Sequence, residues 1–272
     1  MPFIEVNDLT MYYEFHGQGQ NLLHISGSGG DLRLSAPHLH GLNRDFLGLH
    51  YDQRCLGQTT FGDHEPTMSD YADDAAALCA VLGWRRARVV GTSFGGMVAQ
   101  HLAIRHPDLV ERLVLNCTSP GGPLASYPLH ELEALPAAQR SELMLSLMDT
   151  RYTAGSGGGL PGLEGFASKL REHGARSVTA EEAEGYTRQL QARRHHDVTA
   201  DLGSISAPTL VCAGVHDGIA PVASSEAIAA GVADARLEAF EGGRVFMLQG
   251  PQVSVGDPRV PARVGAPSRS TG

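Results

Sequence analysis

Apolar residues recur along this chain in two rhythms. Residues 3–16 alternate and break at Asn7-Asp8, which predicts the two strands of a hairpin. Short continuous apolar runs follow at 21–26 (NLLHIS), 46–52, 88–91 and 113–117, each short enough for a buried strand. Between them, Thr67–Trp84 and Met97–Arg105 carry apolar residues at helical spacing. Thr67 with Asp70 three residues on has the form of a capping box, Gly83 is a stop signal, and His106-Pro107 ends the second helix. Strands alternating with helices imply an α/β fold: a mainly parallel sheet flanked by helices, with the hairpin at one edge.

The pattern changes over 119–205. Proline-bounded helical segments at Leu129–Leu135, Ala137–Leu147 and Ala180–Arg194 surround a glycine-rich stretch, Gly155–Gly165. This reads as a helical cap or lid inserted above the sheet. The sheet pattern resumes at Pro208–Gly214, with a helix at Ser224–Gly231 and a strand at Arg236–Phe240. The expected organisation is a core of 1–118 and 206–249, a cap of 119–205 and a tail of 250–272. The tail holds Pro251, Pro258, Pro261 and Pro267, so a poorly ordered segment is expected there.

Composition narrows the function classes. The chain has 272 residues, 42% of them hydrophobic and 19% charged, the balance of a globular protein with a real core. A formal net charge of −9 argues against a nucleic-acid or anionic-membrane partner, since both demand excess positive charge. The N-terminus MPFIEVND lacks the features of a secretory signal, and no apolar run approaches the roughly 18 residues of a membrane span. A cytoplasmic location is expected. Cys55, Cys79, Cys117 and Cys212 lack CxxC spacing and read as reduced thiols, with no clustered zinc ligands. No metal or cofactor is expected: Gly155–Gly165 is followed by no GK[ST], and no flavin motif appears.

The candidate chemistry starts at Gly91-Thr92-Ser93-Phe94-Gly95, a G-x-S-x-G motif after a strand and before a helix. A serine on such a turn is strained, and glycines two residues either side relieve close backbone contacts. The turn projects the hydroxyl above the sheet, where the helix N-terminus favours developing negative charge. With Ser26-Gly27-Ser28-Gly29-Gly30, Asp52-Gln53-Arg54-Cys55-Leu56-Gly57 and Ala213-Gly214-Val215-His216-Asp217 followed by Pro221, the chain resembles the α/β-hydrolase superfamily over roughly residues 3–249. The likeness is to its small esterase, enol-lactonase and haloperoxidase-like branch. The resemblance implies Ser93 as nucleophile, Asp217 as acid, and an oxyanion hole from the N–H groups of Phe94 and of Ser28, the latter within one position. It implies a small ester or lactone as substrate. Cys55 replaces a glycine of the family's turn. Asp52 and Arg54 are expected to form a structural ion pair or turn network.

In this fold the base follows the acid, as a histidine after one more helix and strand. The chain has Glu241-Gly242-Gly243-Arg244 there, and none of its 13 histidines lies beyond His216. Arginine stays protonated and accepts no hydrogen bond, so Arg244 cannot be the base. It is positioned to pair with Asp217. His24, His195, His196 and His216 are the weaker substitutes. Two functions stay open: a serine hydrolase impaired by the missing histidine, or a non-hydrolytic relative that binds a ligand or runs an elimination or cyclisation. Oligomeric state is not legible.

Overall fold

The computed structural model describes residues 2–35, 37–153 and 178–248. Eight strands form one sheet: β1 (Phe3–Val6), β2 (Leu9–Gly17), β3 (Gln20–Ile25), β4 (Phe46–Tyr51), β5 (Ala87–Thr92), β6 (Val110–Asn116), β7 (Thr209–Gly214) and β8 (Ala235–Phe240). Their order is β1-β2-β4-β3-β5-β6-β7-β8. The edge pairs β1–β2 and β2–β4 are antiparallel, and every pair from β4 to β8 is parallel. The helices are α1 (Met68–Val81), α2 (Phe94–Arg105), α3 (Ala137–Met148), α4 (Ala180–Arg194) and α5 (Val222–Gly231). This is the expected α/β-hydrolase architecture, with α3 and α4 between β6 and β7.

Strand periodicity divides the core in two. Leu23, Ile25, Val89, Leu113, Leu115 and Val211 face α1, α2 and α5, in one large apolar cluster with Tyr71, Leu78, Phe94, Leu102 and Ile228. Their neighbours Leu22, Val90, Val114, Leu210 and Cys212 face the other way, against Leu42 and Phe246. Successive side chains on a strand point to opposite faces, which is why unbroken apolar runs are needed here. All four cysteines are free and buried.

The Thr67 capping box forms: the Asp70 N–H donates to Thr67 Oγ1 at 3.3 Å and the Thr67 N–H to Asp70 Oδ2 at 2.7 Å. Gly83 has φ +79° and ends that helix as expected. Two details differ from the sequence reading. Helix α2 begins at Phe94 rather than Met97, because Gly95 and Gly96, poor helix formers, are held in the first turn by tertiary contact. A Cβ at Gly95 would lie 2.2 Å from the Ile25 carbonyl oxygen, and one at Gly96 would lie 2.6 Å from Thr118 Cβ. The 129–135 segment is a 3-10 helix over Leu129–Ala134.

Asp52 and Arg54 take the structural roles expected of them, a turn network for one and ion pairs for the other, and do not pair with each other. Asp52 accepts from the N–H of Leu32 at 2.7 Å and of Gln58 at 2.9 Å. Arg54 instead pairs with Asp74 at 2.7 Å and Asp8 at 2.9 Å. Cys55 adopts φ +66°, the left-handed conformation that explains a glycine at this place in the family turn. The glycine-rich stretch Gly155–Gly165 and the tail 250–272 lie outside the described residues.

Candidate active site

The carboxyl ends of β3, β5, β7 and β8 carry the expected site residues, and the sheet order brings them side by side. Ile25 is in register with Gly91, Asn116 with Cys212, and Gly214 with Phe240. Crevices beyond strand carboxyl ends are where open α/β sheets place their chemistry.

Ser93 sits between β5 and α2 with φ +59° and ψ −117°. Such a backbone costs on the order of 1–3 kcal/mol for a residue with a side chain. Two glycines make it sterically possible. A Cβ at Gly91 would lie 2.3 Å from the Gly95 carbonyl oxygen, and Gly95 is pressed on Ile25. The Ser93 N–H donates to the Asn116 carbonyl at 2.8 Å, and Thr118 Oγ1 donates to the Ser93 carbonyl at 2.8 Å. Ser93 occupies the N-cap position of α2, yet its side chain makes no capping bond, which leaves the hydroxyl available elsewhere.

The glycine-rich loop after β3 lies against this serine. A Cβ at Gly27 would stand 3.4 Å from Ser93 Cβ and 3.8 Å from its Oγ. Gln53 Nε2 braces the loop by donating to the Ser26 carbonyl at 2.9 Å. The Gly29 N–H donates to Gln189 Oε1 of α4 at 2.8 Å. Among the described residues no acceptor engages the N–H of Ser28 or of Phe94. Ser28 Oγ and Gln189 Nε2 are buried without partners. No motif marks Gln189 in the sequence; only the docking of α4 on this loop reveals it.

Asp217 follows β7 and is buried. The N–H groups of Ile219 and Ala220 donate to its Oδ1 at 2.8 and 3.0 Å. Burial pushes its carboxyl above the usual aspartate range, while the Arg244 charge and these N–H groups pull the other way. Arg244 stands between acid and serine. Its Nη1 donates to Asp217 Oδ2 at 2.9 Å and Oδ1 at 3.2 Å, and its Nη2 donates to Ser93 Oγ. The arginine backbone is anchored as well: its N–H donates to the Met148 carbonyl at 2.7 Å, and its carbonyl accepts from Cys117 Sγ at 2.9 Å. One guanidinium therefore spans the space a triad histidine would fill.

None of the substitute histidines reaches this pair. His216 Nε2 contacts Glu241 Oε1 at 2.8 Å. His24 is buried within β3 beside His40 and His50, where burial holds it neutral. His196 Nε2 lies 3.0 Å from the Ser119 carbonyl, which only accepts, so that nitrogen carries the proton. Burial depresses His196 to about 4, so the ring is neutral and its Nδ1 accepts from His101 Nε2 at 3.2 Å. Both of its nitrogens are occupied. His195 ends α4, at the position of its C-cap. Among the described residues no group of His, Cys, Asp and Glu is arranged to hold a metal ion.

The sequence profile described as the alpha/beta hydrolase fold matches residues 21–251. The chain belongs to the α/β-hydrolase fold family. Among its relatives, this α/β hydrolase is 29% identical to the non-heme haloperoxidase of Rhodococcus erythropolis over 89% of its own length and 92% of that protein's. It is 27% identical to the inferred carbamate hydrolase RutD of Agrobacterium fabrum, over 84% of this chain and 88% of that one. The crystal structure of the enol-lactonase from Burkholderia xenovorans LB400 superposes with a TM-score of 0.74 at 25% identity, covering 90% of this chain and 93% of that one. The hydrolases among these relatives place the α/β hydrolase within hydrolytic chemistry on small molecules in general, and their substrates differ. Among the described residues no helix is long and apolar enough to cross a membrane.

Proposed function

We propose that this α/β hydrolase is a serine hydrolase of small carboxylic esters or lactones that forms an acyl-enzyme at Ser93 and turns over poorly. The observation that carries the reading is the strained elbow at Ser93, complete in its glycine contacts, with the buried acid Asp217 joined to it through a single side chain. In the reaction, Ser93 Oγ attacks the acyl carbon, the ester C–O bond breaks and its oxygen leaves as an alcohol with a proton from water, and a second water hydrolyses the acyl-enzyme to release the acid and free Ser93. The negative charge that develops on the carbonyl oxygen is stabilised by the N–H groups of Phe94 and Ser28 and by the start of α2. The helices inserted between β6 and β7 act as a cap, and Gln189 ties them to the oxyanion loop.

The proton on Ser93 Oγ is the difficulty. Arg244 has no acceptor, so the proton must leave to water, and a positioned base is normally worth about 10²–10⁴-fold. The guanidinium favours the serine alkoxide by its charge but takes no part in proton transfer. Asp217, which would orient a histidine, serves here as the arginine's counter-ion. The test is hydrolysis of p-nitrophenyl butyrate by the parent, Arg244→His and Ser93→Ala. We expect Arg244→His to raise the rate and Ser93→Ala to abolish it. Equal rates in all three proteins would overturn the reading.

The contact of Arg244 on Ser93 Oγ also favours a second reading, a ligand-binding or otherwise non-hydrolytic use of the same pocket. A fluorophosphonate probe separates the two. Labelling of Ser93 in the parent supports the hydrolase; absence of labelling, with binding of small acyl compounds retained, supports the second reading.

A further inference from the structure

A pocket opens where the end of α4 meets the chain after β6. Its polar lining is Ser119, Ser126, His130, Arg193, Arg194 and His196, and no carboxylate lines it. Arg193 is the telling residue. It is only 7% exposed. Its Nη2 donates to Ser126 Oγ at 2.7 Å and to the Tyr127 carbonyl at 2.8 Å, both neutral acceptors. Among the described residues its Nε, also buried, has no partner. Among the described residues no carboxylate pairs with it.

A buried cation without a counter-ion is costly, because its hydration is lost and no opposite charge replaces it. Burial first, and then the nearby Arg244, depress the Arg193 guanidinium to about 10, so it is still charged at neutral pH. A purely structural role in holding 126–127 uses one terminal nitrogen and needs no charge. The rest of the fork is left over. So are two hydroxyl hydrogens: Ser119 Oγ accepts from the Ser126 N–H at 3.2 Å, and Ser126 Oγ accepts from Arg193, so each O–H can still donate. His196 is neutral with both nitrogens occupied and adds no negative charge.

We propose that this pocket binds a small carboxylate anion, with Arg193 as its counter-ion and the hydroxyls of Ser119 and Ser126 as supporting donors. A carboxylate oxygen can accept a charge-assisted hydrogen bond from a guanidinium N–H that Ser126 and Tyr127 leave unused, stronger than a bond between neutral groups. The site does not depend on acylation of Ser93.

Calorimetric titration of the whole chain with butyrate and with its neutral isostere butyramide, at matched ionic strength, tests this. Butyrate is expected to bind saturably and butyramide not at all. Arg193→Gln should weaken butyrate binding by about tenfold or more, the equivalent of one charge-assisted hydrogen bond. Ser93→Ala should leave it unchanged, which separates this pocket from the nucleophile. If Arg193→Gln does not fold, the butyrate–butyramide contrast in the parent still decides. No saturable butyrate binding, equal binding of the amide, or retention of full affinity in a folded Arg193→Gln variant would each overturn the proposal.

Discussion

The two arms of the candidate site are built with equal care but carry different chemistry. At the elbow, backbone and side chain agree: glycines at 91 and 95 permit the strained turn, and a serine occupies it. In the loop after β8 only the backbone does. A Cβ at Gly214 would lie 2.0 Å from the Gly243 carbonyl oxygen, and one at Gly243 would lie 2.3 Å from the Met148 carbonyl oxygen. That packing delivers residue 244 to Asp217 and Ser93, and the residue delivered is arginine. Position and chemistry are thus separable. On the proposed reading, the loop keeps the position of a triad residue while the side chain there accepts no proton.

If that separation is real, Arg244→His carries the largest effect. We expect a gain of roughly 10²–10⁴ in kcat/KM for p-nitrophenyl butyrate, the usual worth of a positioned base. The gain should vanish in the double variant Ser93→Ala/Arg244→His. No gain in a folded Arg244→His protein would show that the acid-side loop has lost geometry as well as chemistry.

The arms should also differ in what they contribute to stability. Asp217 is the counter-ion of a buried guanidinium, so Asp217→Asn should destabilise by about 3–5 kcal/mol in chemical denaturation. Ser93→Ala removes no capping bond and leaves the strained backbone in place, so its effect should stay within about 1 kcal/mol. Comparable losses at the two sites would erase the contrast.

Histidine, absent from the acid arm, is plentiful elsewhere, and that imbalance sets the pH response. Burial depresses His50 to about 3, and His101 and His196 to about 4. These rings fold neutral, while the unfolded chain protonates them near pH 6.5. Their contribution is therefore complete above pH 6.5 and is lost as pH falls from there toward 4, at up to about 1.4 kcal/mol per pH unit for each group. Asp52, raised to about 6 by burial, opposes this trend between about pH 4 and 6, and the raised Asp217 opposes it too, while His24 and His40, both depressed by burial, add to it. Urea midpoints measured between pH 7.5 and 4.5 should fall steadily; a flat profile would contradict the buried neutral rings. The smallest expected effect is the oxyanion-loop brace. Gln189→Ala should lower kcat/KM of the Arg244→His protein by about tenfold or less, through a looser Gly29, with little change in stability.

Much of this was legible before any coordinates. Alternation over 3–16 marks the hairpin, and short apolar runs mark β3 to β7, because a strand covered on both faces is apolar at most positions. The elbow was legible because its demands are local: strand, glycine, serine, glycine, helix. The absence of any histidine after Asp217 was legible from order alone. The first turn of α2 was hidden, because Gly95 and Gly96 lower helix propensity and their reason for being there lies across the fold, in Ile25 and Thr118. The partners of Arg54 were hidden for a similar reason. Asp74 and Asp8 lie 20 and 46 residues away along the chain, and only the packing of α1 against the first strands brings them together.

The amino-acid sequence by itself determined the fold class, put forward Ser93 and Asp217 as candidate nucleophile and acid, and fixed that no histidine follows Asp217, because each is written in local pattern or in chain order. Tertiary structure alone decided what lies between and beside these residues. The guanidinium of Arg244 bridges Asp217 and Ser93, Gln189 holds the glycine-rich loop, and Arg193 is buried without a counter-ion. These depend on distance, burial and charge between segments remote in sequence, and such energies come into being only when the chain has closed.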